Sequence, residues 1–418
     1  MSVEEMDQKK PERSMLFVIL ILGALSTLSP LSIDMYLPAF TQMAEAFHTT
    51  VATISLSISS YFIGLSLGQI FYGPVLDRFG RKKPTYFGLI LFIVASIGCL
   101  KSPTVEWLIG FRFLQALGGS VAAVSSTAMV RDFFHAREAA KIFSILMLIL
   151  GVSPLFAPTI GSLITVTFGW PAIFIALISI VSLTLLATYF FLPEGHEPDP
   201  SISLRPGPIV KEFIAILKEP QFTTYTLAGA FSFSGLFVYV AGSPIIFMNV
   251  FQVSVRLYGI IFAALSVGAI GGGQVNILLA RKFRIESIFL TALLTQVATS
   301  LLFVVGALFG WWGLTETLVL LFICISCLGL TYPNAAAIAL APFSKNAGSA
   351  SALLGFLQMG VGALASSAVG LLGSSSILPI AASLLGSSLV GTFILFYGRT
   401  KIKVDIEVQK DGTAIVIH

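Results

Sequence analysis

IGFRFLQALGGS, residues 109–120, is a run of apolar and small residues with a single charge in it, Arg112. The apolar character extends on both sides, from about 104 to 127. That length matches the roughly 20 residues an α-helix needs to cross the hydrocarbon of a bilayer. SPLSIDMYLPAF, residues 29–40, repeats the pattern with one acid, Asp34. Ionisable groups at membrane depth are costly and persist where they pair, face a polar cavity or do a job. The two opposite charges, in the first and fourth apolar runs, point to a polar route through protein.

The rest of the chain agrees with lipid as the solvent. Of 418 residues, 56% are hydrophobic and 11% charged, with a mean hydropathy of +0.94. Soluble domains carry about 25% charged residues. Spans are predicted near 15–38, 50–75, 84–101, 104–127, 141–165 and 171–192. Six more are predicted near 222–248, 255–279, 287–309, 313–340, 347–370 and 374–397. The expected fold class is an all-α membrane protein, with twelve transmembrane helices in two pseudo-symmetric six-helix halves. The expected division is residues 1–192, a linker over 193–220, residues 221–398 and a tail over 399–418.

Twelve spans put both termini on one side, and 21 of the 24 Lys and Arg residues fall on that side. The bias places both termini in the cytoplasm. The formal charge of +4 therefore reflects topology and anionic headgroups, not nucleic acid. The linker contains Pro193, Pro198, Pro200, Pro206 and Pro208. Within it, Val210, Phe213, Ile214 and Leu217 share one helical face, which reads as a short amphipathic helix on the inner surface or as a plain helical linker. GQIFYGPVLDRFGRKK (68–83) has an echo in GQVNILLARKFR (273–284), half a chain away. Paired halves of this kind are typical of secondary transporters. At the end of the chain, IKVDIEVQ and TAIVIH flank KDG and read as a small hairpin or a disordered tail.

Asp34 and Arg112 both fall in the outer half of the membrane, at about 1.5 Å per helical residue. Direct or water-mediated coupling between them is within reach, as is a static pair that fixes spans 1 and 4. Gln115, one turn from Arg112, can orient it or face a cavity. In the loop GPVLDRFGRKK, Gly73 is expected to permit close helix approach and Gly80 a tight turn. Asp77 sits there among Arg78, Arg81 and Lys82, a cluster able to lock an inner face and release it. In LGVSPLFAPTIGSL, Gly151, Pro154, Pro158 and Gly161 interrupt and thin the fifth span. Asn334 and Gln358 are polar groups in late apolar runs, and Asn334 needs a partner. Tyr36, Tyr61, Phe233 and Tyr239 are aromatic candidates for a cavity wall.

Other chemistries find no support in the sequence. Cys99, Cys324 and Cys327 lie in apolar runs with no clustered histidines, so they read as small buried residues rather than a metal or redox site. No G-x-x-x-x-G-K-[ST] loop is present for ATP. No metal, cofactor or enzymatic activity is expected.

Taken together, these stretches resemble the major facilitator superfamily and, within it, the twelve-span drug:proton antiporters. GPVLDRFGRKK resembles the family's cytoplasmic loop motif, RFLQALGGS its fourth-span motif and GVSPLFAPTIGSL its fifth-span antiporter motif. The last departs from the common pattern at Ala157 and Ser162, both still small. DMYLPAF and PNAAAIALAPFSKNAGSASALLG resemble the bacterial Bcr/CflA efflux subfamily more narrowly. The resemblance implies proton-coupled antiport of small amphipathic drugs, bicyclomycin-like or phenicol-like, across the bacterial inner membrane. It implies proton coupling at Asp34 and Arg112. It makes Gly73, Asp77, Arg78, Gly80, Arg81 and Lys82 an inner gate that docks near the start of span 11. The stretch from Gly151 to Gly161 becomes an inter-half contact. The partners implied are a small-molecule substrate, protons and membrane lipids, with one chain sufficient. The same fold could instead export or import a metabolite. A non-transporting receptor or scaffold would need neither the deep charges nor the loop motif.

Overall fold

The computed structural model describes residues 12–195, 198–200, 206–343, 347–372, 376–402, 405–408 and 414–417. Among them are twelve helical segments long and apolar enough to cross a membrane, from Leu16–Ala46 to Leu378–Arg399. The first half comprises α1 (Glu12–Asp34), α2 (Phe40–Ala46), α3 (Val51–Phe79), α4 (Lys82–Leu100), α5 (Val105–Phe133), α6 (Ala136–Phe168) and α7 (Pro171–Phe191). After α8 (Pro206–Leu217), the second half comprises α9 (Pro220–Pro244), α10 (Val255–Leu279), α11 (Ile285–Phe309), α12 (Leu314–Leu340), α13 (Ala347–Leu372) and α14 (Leu378–Arg399). All twelve expected spans are present. Helices suit lipid because each satisfies its own backbone hydrogen bonds.

Two spans are interrupted. The first breaks after Asp34 into a 3₁₀ turn at Leu37–Ala39, with Pro38 at its start, and resumes as α2. Gln42 ties α2 down, accepting from Trp170 N at 3.0 Å and donating to Thr165 O at 3.2 Å. The seventh span passes from α9 into a π-helical stretch, Ile245–Val250, directly after Pro244. Both breaks fall at corresponding places in the two halves, and Pro38 and Pro244 remove backbone donors there.

Across the halves, α3 packs on α13 and α6 on α10. The most hydropathic stretch of α9 is 83% buried and that of α7 only 33%, so α9 is central and α7 peripheral. Peripheral helices present side chains such as Leu183, Phe190, Leu371 and Phe393 outward, as a lipid-facing surface requires. Within the second half, α10 and α12 cross so closely that a Cβ on Gly272 would meet Ser326 O, and one on Gly329 would meet Ala269 O. Both obstacles are backbone and cannot rotate away. Gly272→Ala is therefore expected to destabilise the purified protein by about 1–3 kcal/mol. A melting curve in detergent matching the wild type would contradict this.

The linker helix α8 is present and packs on the second half. Ile216 is buried beside Phe222 and Tyr225, and Phe213 packs against the same cluster. Val210, Ile214 and Leu217 remain exposed. The tail departs from the all-helical pattern. Strands β1 (Asp405–Val408) and β2 (Ala414–Ile417) pair antiparallel, with Asp405 opposite Ile417. Lys9, Lys10, Arg205, Lys345, Asn346, Lys403 and Lys410 lie outside the described residues.

Candidate functional site

Arg112 is completely enclosed on α5. Its Nη1 donates to Ser32 Oγ at 3.0 Å and Gln115 Oε1 at 2.5 Å, and its Nη2 donates to Ser32 O at 3.2 Å. The break in the first span supplies that carbonyl. Tyr36 N bonds to Ile33 O, which leaves Ser32 O without its usual i+4 donor. Gln115 is held in turn by Ser96, with Nε2 donating to Oγ at 2.7 Å. The guanidinium carbon lies 4.3 Å from the Tyr36 ring centre and 4.2 Å from that of Tyr61. A cation between two aromatic faces is attracted by both quadrupoles. The Tyr36 hydroxyl is fixed by Ser57 Oγ at 2.7 Å. Arg112 Nε and the Tyr61 hydroxyl have no partner among the described residues.

Asp34 sits two residues beyond Ser32, at the end of α1, 6% exposed. Among the described residues no ion pair joins it to Arg112. The two charges that the sequence sets side by side have separate surroundings. Arg112 is bound inside the first half, while the 3₁₀ turn that follows Asp34 packs against α9 and α10 of the second. The segment carrying Asp34 also meets α6, where a Cβ on Gly161 would strike the Met35 backbone.

Gly161 therefore makes room for the end of the first span rather than for the opposite half. The α6–α10 contact across the halves lies beside it. A Cβ on Gly259 would stand 2.8 Å from Ser162 Oγ, 3.1 Å from Thr159 Cα and 3.2 Å from Pro158 O. Gly151 has only Ile270 at 4.0 Å, and Pro154 sits half-buried one turn along. Along α3 and α13 the halves meet through Ser66 Oγ donating to Phe356 O at 3.0 Å and Ser366 Oγ donating to Ser59 Oγ at 2.9 Å.

The loop cluster after α3 is built around Arg81. Its Nη1 pairs with Asp77, and its Nε donates to Asp132 Oδ2 at 2.8 Å. Glu194 Oε1 accepts from the backbone N–H of Arg81 at 2.6 Å and of Lys82 at 3.0 Å. Burial alone pushes the Arg81 guanidinium down, but the bonds from Asp132 and Asp77 outweigh it and hold its pKa above the usual value. Gly80 takes φ 83°, the left-handed region glycine tolerates. Arg78 lies 5.8 Å from the Phe79 ring, and Lys82 Nζ lies 3.4 Å from Tyr189 O. The expected docking of this cluster near the start of span 11 falls partly on residues 344–346, outside the described residues. The ion-pair partner of Asp77 among the described residues is Arg81, beyond the Gly80 turn. One expectation is corrected. Gly73 has nothing within 4 Å of a Cβ position; the close-approach glycines of α3 are Gly64 and Gly68, against α5. Asp132 and Glu194 were not anticipated, although each is an acid at a helix end facing a basic loop.

The aromatic and amide candidates do not line one cavity. Tyr36, Tyr61 and Gln115 are committed to Arg112. Phe233 packs against Tyr332 at 4.6 Å and Phe237 at 5.7 Å. Asn334 finds its partner in Asn276, bonding at 2.7 Å from α12 to α10. Gln358 is buried on α13. Tyr239 stacks on Phe262 at 5.2 Å and lines a cavity of about 20 Å³ inside the second half, with Ser232, Gln296, Ser300 and Ser388. Ser232 Oγ lies 2.6 Å from Gln296 Oε1 and 2.8 Å from Thr331 Oγ1, a polar network that sequence reading missed because its members are far apart in the chain. Among the described residues no group of three or more His, Cys, Asp or Glu side chains is placed to hold a metal.

The family model described as Major Facilitator Superfamily matches residues 22–367. An uncharacterized MFS-type transporter, YdgK, of Bacillus subtilis is 33% identical over 390 residues, covering 92% of this chain and 95% of that protein. A bicyclomycin resistance protein homolog of Haemophilus influenzae is 30% identical over 392 residues, covering 93% and 97%. Among solved structures, a bacterial homolog of the human lysosomal transporter Spinster, inward-facing and occupied, gives a TM-score of 0.68 at 16% identity, covering 94% of this chain and 96% of that one.

Proposed function

The chain belongs to the Major Facilitator Superfamily, and from that premise we propose that it exports small amphipathic drugs in exchange for protons. The substrate class is bicyclomycin-like or phenicol-like, and the membrane is the bacterial inner membrane with both termini in the cytoplasm. The observation that carries the reading is Asp34. It is a carboxyl at the seam between the halves, 6% exposed, with no ion-pair partner among the described residues. A bare carboxylate in such an enclosure is costly unless paired and hydrogen-bonded, so the neutral acid is the form this packing accommodates. Separation of the halves at that end admits water and lets the proton leave. Proton binding and interface closure thus favour one another, which is the linkage an antiporter needs.

In this reading Arg112 holds the first-span break in shape, keeping Asp34 at the seam. The Asp77–Arg81–Asp132 cluster fastens the inner ends of α3 and α5 within the first half, and its gating role would come from docking on the opposite half as the cytoplasmic side closes. The contact of α6 with α10 is the surface along which the halves rock. A single chain is sufficient, because the seam lies between its own halves. The similarity to a bicyclomycin resistance protein homolog supports the substrate class.

The test is transport by purified protein in proteoliposomes, with bicyclomycin and chloramphenicol as separate probes. An imposed pH gradient is expected to drive accumulation of at least one, and a protonophore is expected to stop it. Accumulation that ignores the gradient would overturn proton coupling. Failure with both probes alongside gradient-driven movement of a small metabolite would replace the substrate class.

A further inference from the structure

The chain that leaves α7 returns to the ends of α3, α4 and α5. Leu192 is buried there, and Glu194 follows two residues later. One carboxylate oxygen of Glu194 accepts from the backbone N–H of Arg81 at 2.6 Å and of Lys82 at 3.0 Å. These are the N-cap and first residues of α4, an end that the Arg81 side chain does not cap. The first N–H groups of a helix have no partner within it and favour an anion. At Gly195 a Cβ would stand 2.8 Å from Asp132 Oδ2 and 3.3 Å from Arg81 Cγ, so the chain runs directly against that ion pair. Further on, Asp199 N donates to Asp77 O at 3.3 Å.

We propose that Glu194 is a positioning residue of the inner gate, which fixes the backbone of Arg81 and so keeps its guanidinium between Asp77 and Asp132. Arg81 is held twice, by Glu194 at its main chain and by the two acids at its side chain. The gate then includes the start of the chain that joins the halves. That chain goes on to α8, which packs on the second half. The proposal rests on the reading of the Arg81 cluster as the inner gate and adds a residue to it.

Position matters here because the guanidinium has to span two helices. Asp77 lies on α3 and Asp132 on α5, while Arg81 stands just past Gly80, the left-handed residue that turns the chain between α3 and α4. A turn built on glycine does not by itself fix where the next residue points. The two bonds from Glu194 supply that restraint. Losing them frees the first turn of α4, loosens the Arg81 bridge and makes the cluster a poorer surface for docking on the opposite half. The inner side should then close less readily.

The experiment measures inner opening by pulsed electron resonance between spin labels on Lys83→Cys and Arg281→Cys in lipid vesicles, and it needs no substrate. Both positions are exposed, and the three native cysteines are buried. Arg81→Ala is expected to shift the distances toward the open form. Glu194→Ala is expected to shift them the same way, raising the open-to-closed ratio about fivefold, the factor that loss of one helix cap corresponds to. Glu194→Gln keeps an acceptor oxygen and should stay near the wild type. The double variant Arg81→Ala, Glu194→Ala should shift no further than Arg81→Ala alone, because one residue acts through the other. Wild-type distances in Glu194→Ala, an equal shift in Glu194→Gln, or multiplied shifts in the double variant would each overturn the inference while leaving the gate. If Arg81→Ala also leaves the distances unchanged, the gate reading falls with it. Should Glu194→Ala fail to fold, Gly195→Ala crowds Asp132 and Arg81 with Glu194 in place; it is expected to shift toward the open form, and wild-type distances there overturn the inference.

Discussion

Asp34→Asn is expected to abolish gradient-driven export, bringing it to the level of empty vesicles, while the protein stays folded in the membrane. Asparagine has the shape of the protonated acid and cannot release a proton. No ion pair is lost, because Asp34 has none among the described residues. The change in stability should therefore stay within about 1 kcal/mol. The variant should still exchange substrate for substrate without a gradient, since closure of the seam remains available to a permanently neutral side chain. The decisive measurement sets the two assays side by side in the same proteoliposomes. Undiminished antiport would remove Asp34 from the coupling role. Loss of both activities with an unchanged melting curve would move the residue from proton coupling to substrate binding.

That expectation depends on a separation the sequence conceals. Asp34 and Arg112 both stand out as charges in apolar runs, and the pattern invites a pair. What decides otherwise is the break after Asp34, which frees Ser32 O for Arg112 and turns the acid to the seam. The break follows from Pro38 and from packing against α6, and the second of these is a tertiary fact. The spans themselves were readable because lipid demands about 20 apolar residues each, a strong local signal. That Asp77 sits among basic residues was readable from the loop, but the choice of Arg81 over Arg78 or Lys82 follows from the turn at Gly80 that separates α3 from α4. Asp132 and Glu194, 51 and 113 residues from Arg81, were not readable. Glycine roles divided in the same way. Gly80 marks a turn in sequence and in structure, whereas choosing Gly64 and Gly68 over Gly73 needs to know which face of α3 meets α5.

Arg112→Ala is expected to have the opposite profile to Asp34→Asn, costing the fold as well as transport. Three charge-assisted hydrogen bonds and two aromatic faces hold this guanidinium. Removing a buried cation relieves its desolvation, which acts the other way. Against that relief stand the lost bonds to a charged group, the unbonded Ser32 carbonyl and Gln115 amide, and a void between Tyr36 and Tyr61. The losses should win, leaving a net destabilisation of about 2–5 kcal/mol. Arg112→Lys should recover little, because an ammonium cannot bond Ser32 and Gln115 as a planar fork while stacked between two rings. The measurement is thermal unfolding in lipid-like detergent, run with gradient-driven transport on the same preparations. An Arg112→Ala protein that melts with the wild type yet fails to transport would mean that the cation acts in the cycle itself rather than by shaping the end of α1. Adding Asp34→Asn to Arg112→Ala should lower the melting temperature little further. Were the two residues instead a stabilising pair in this state, either single variant would already cost the stability that the double variant loses.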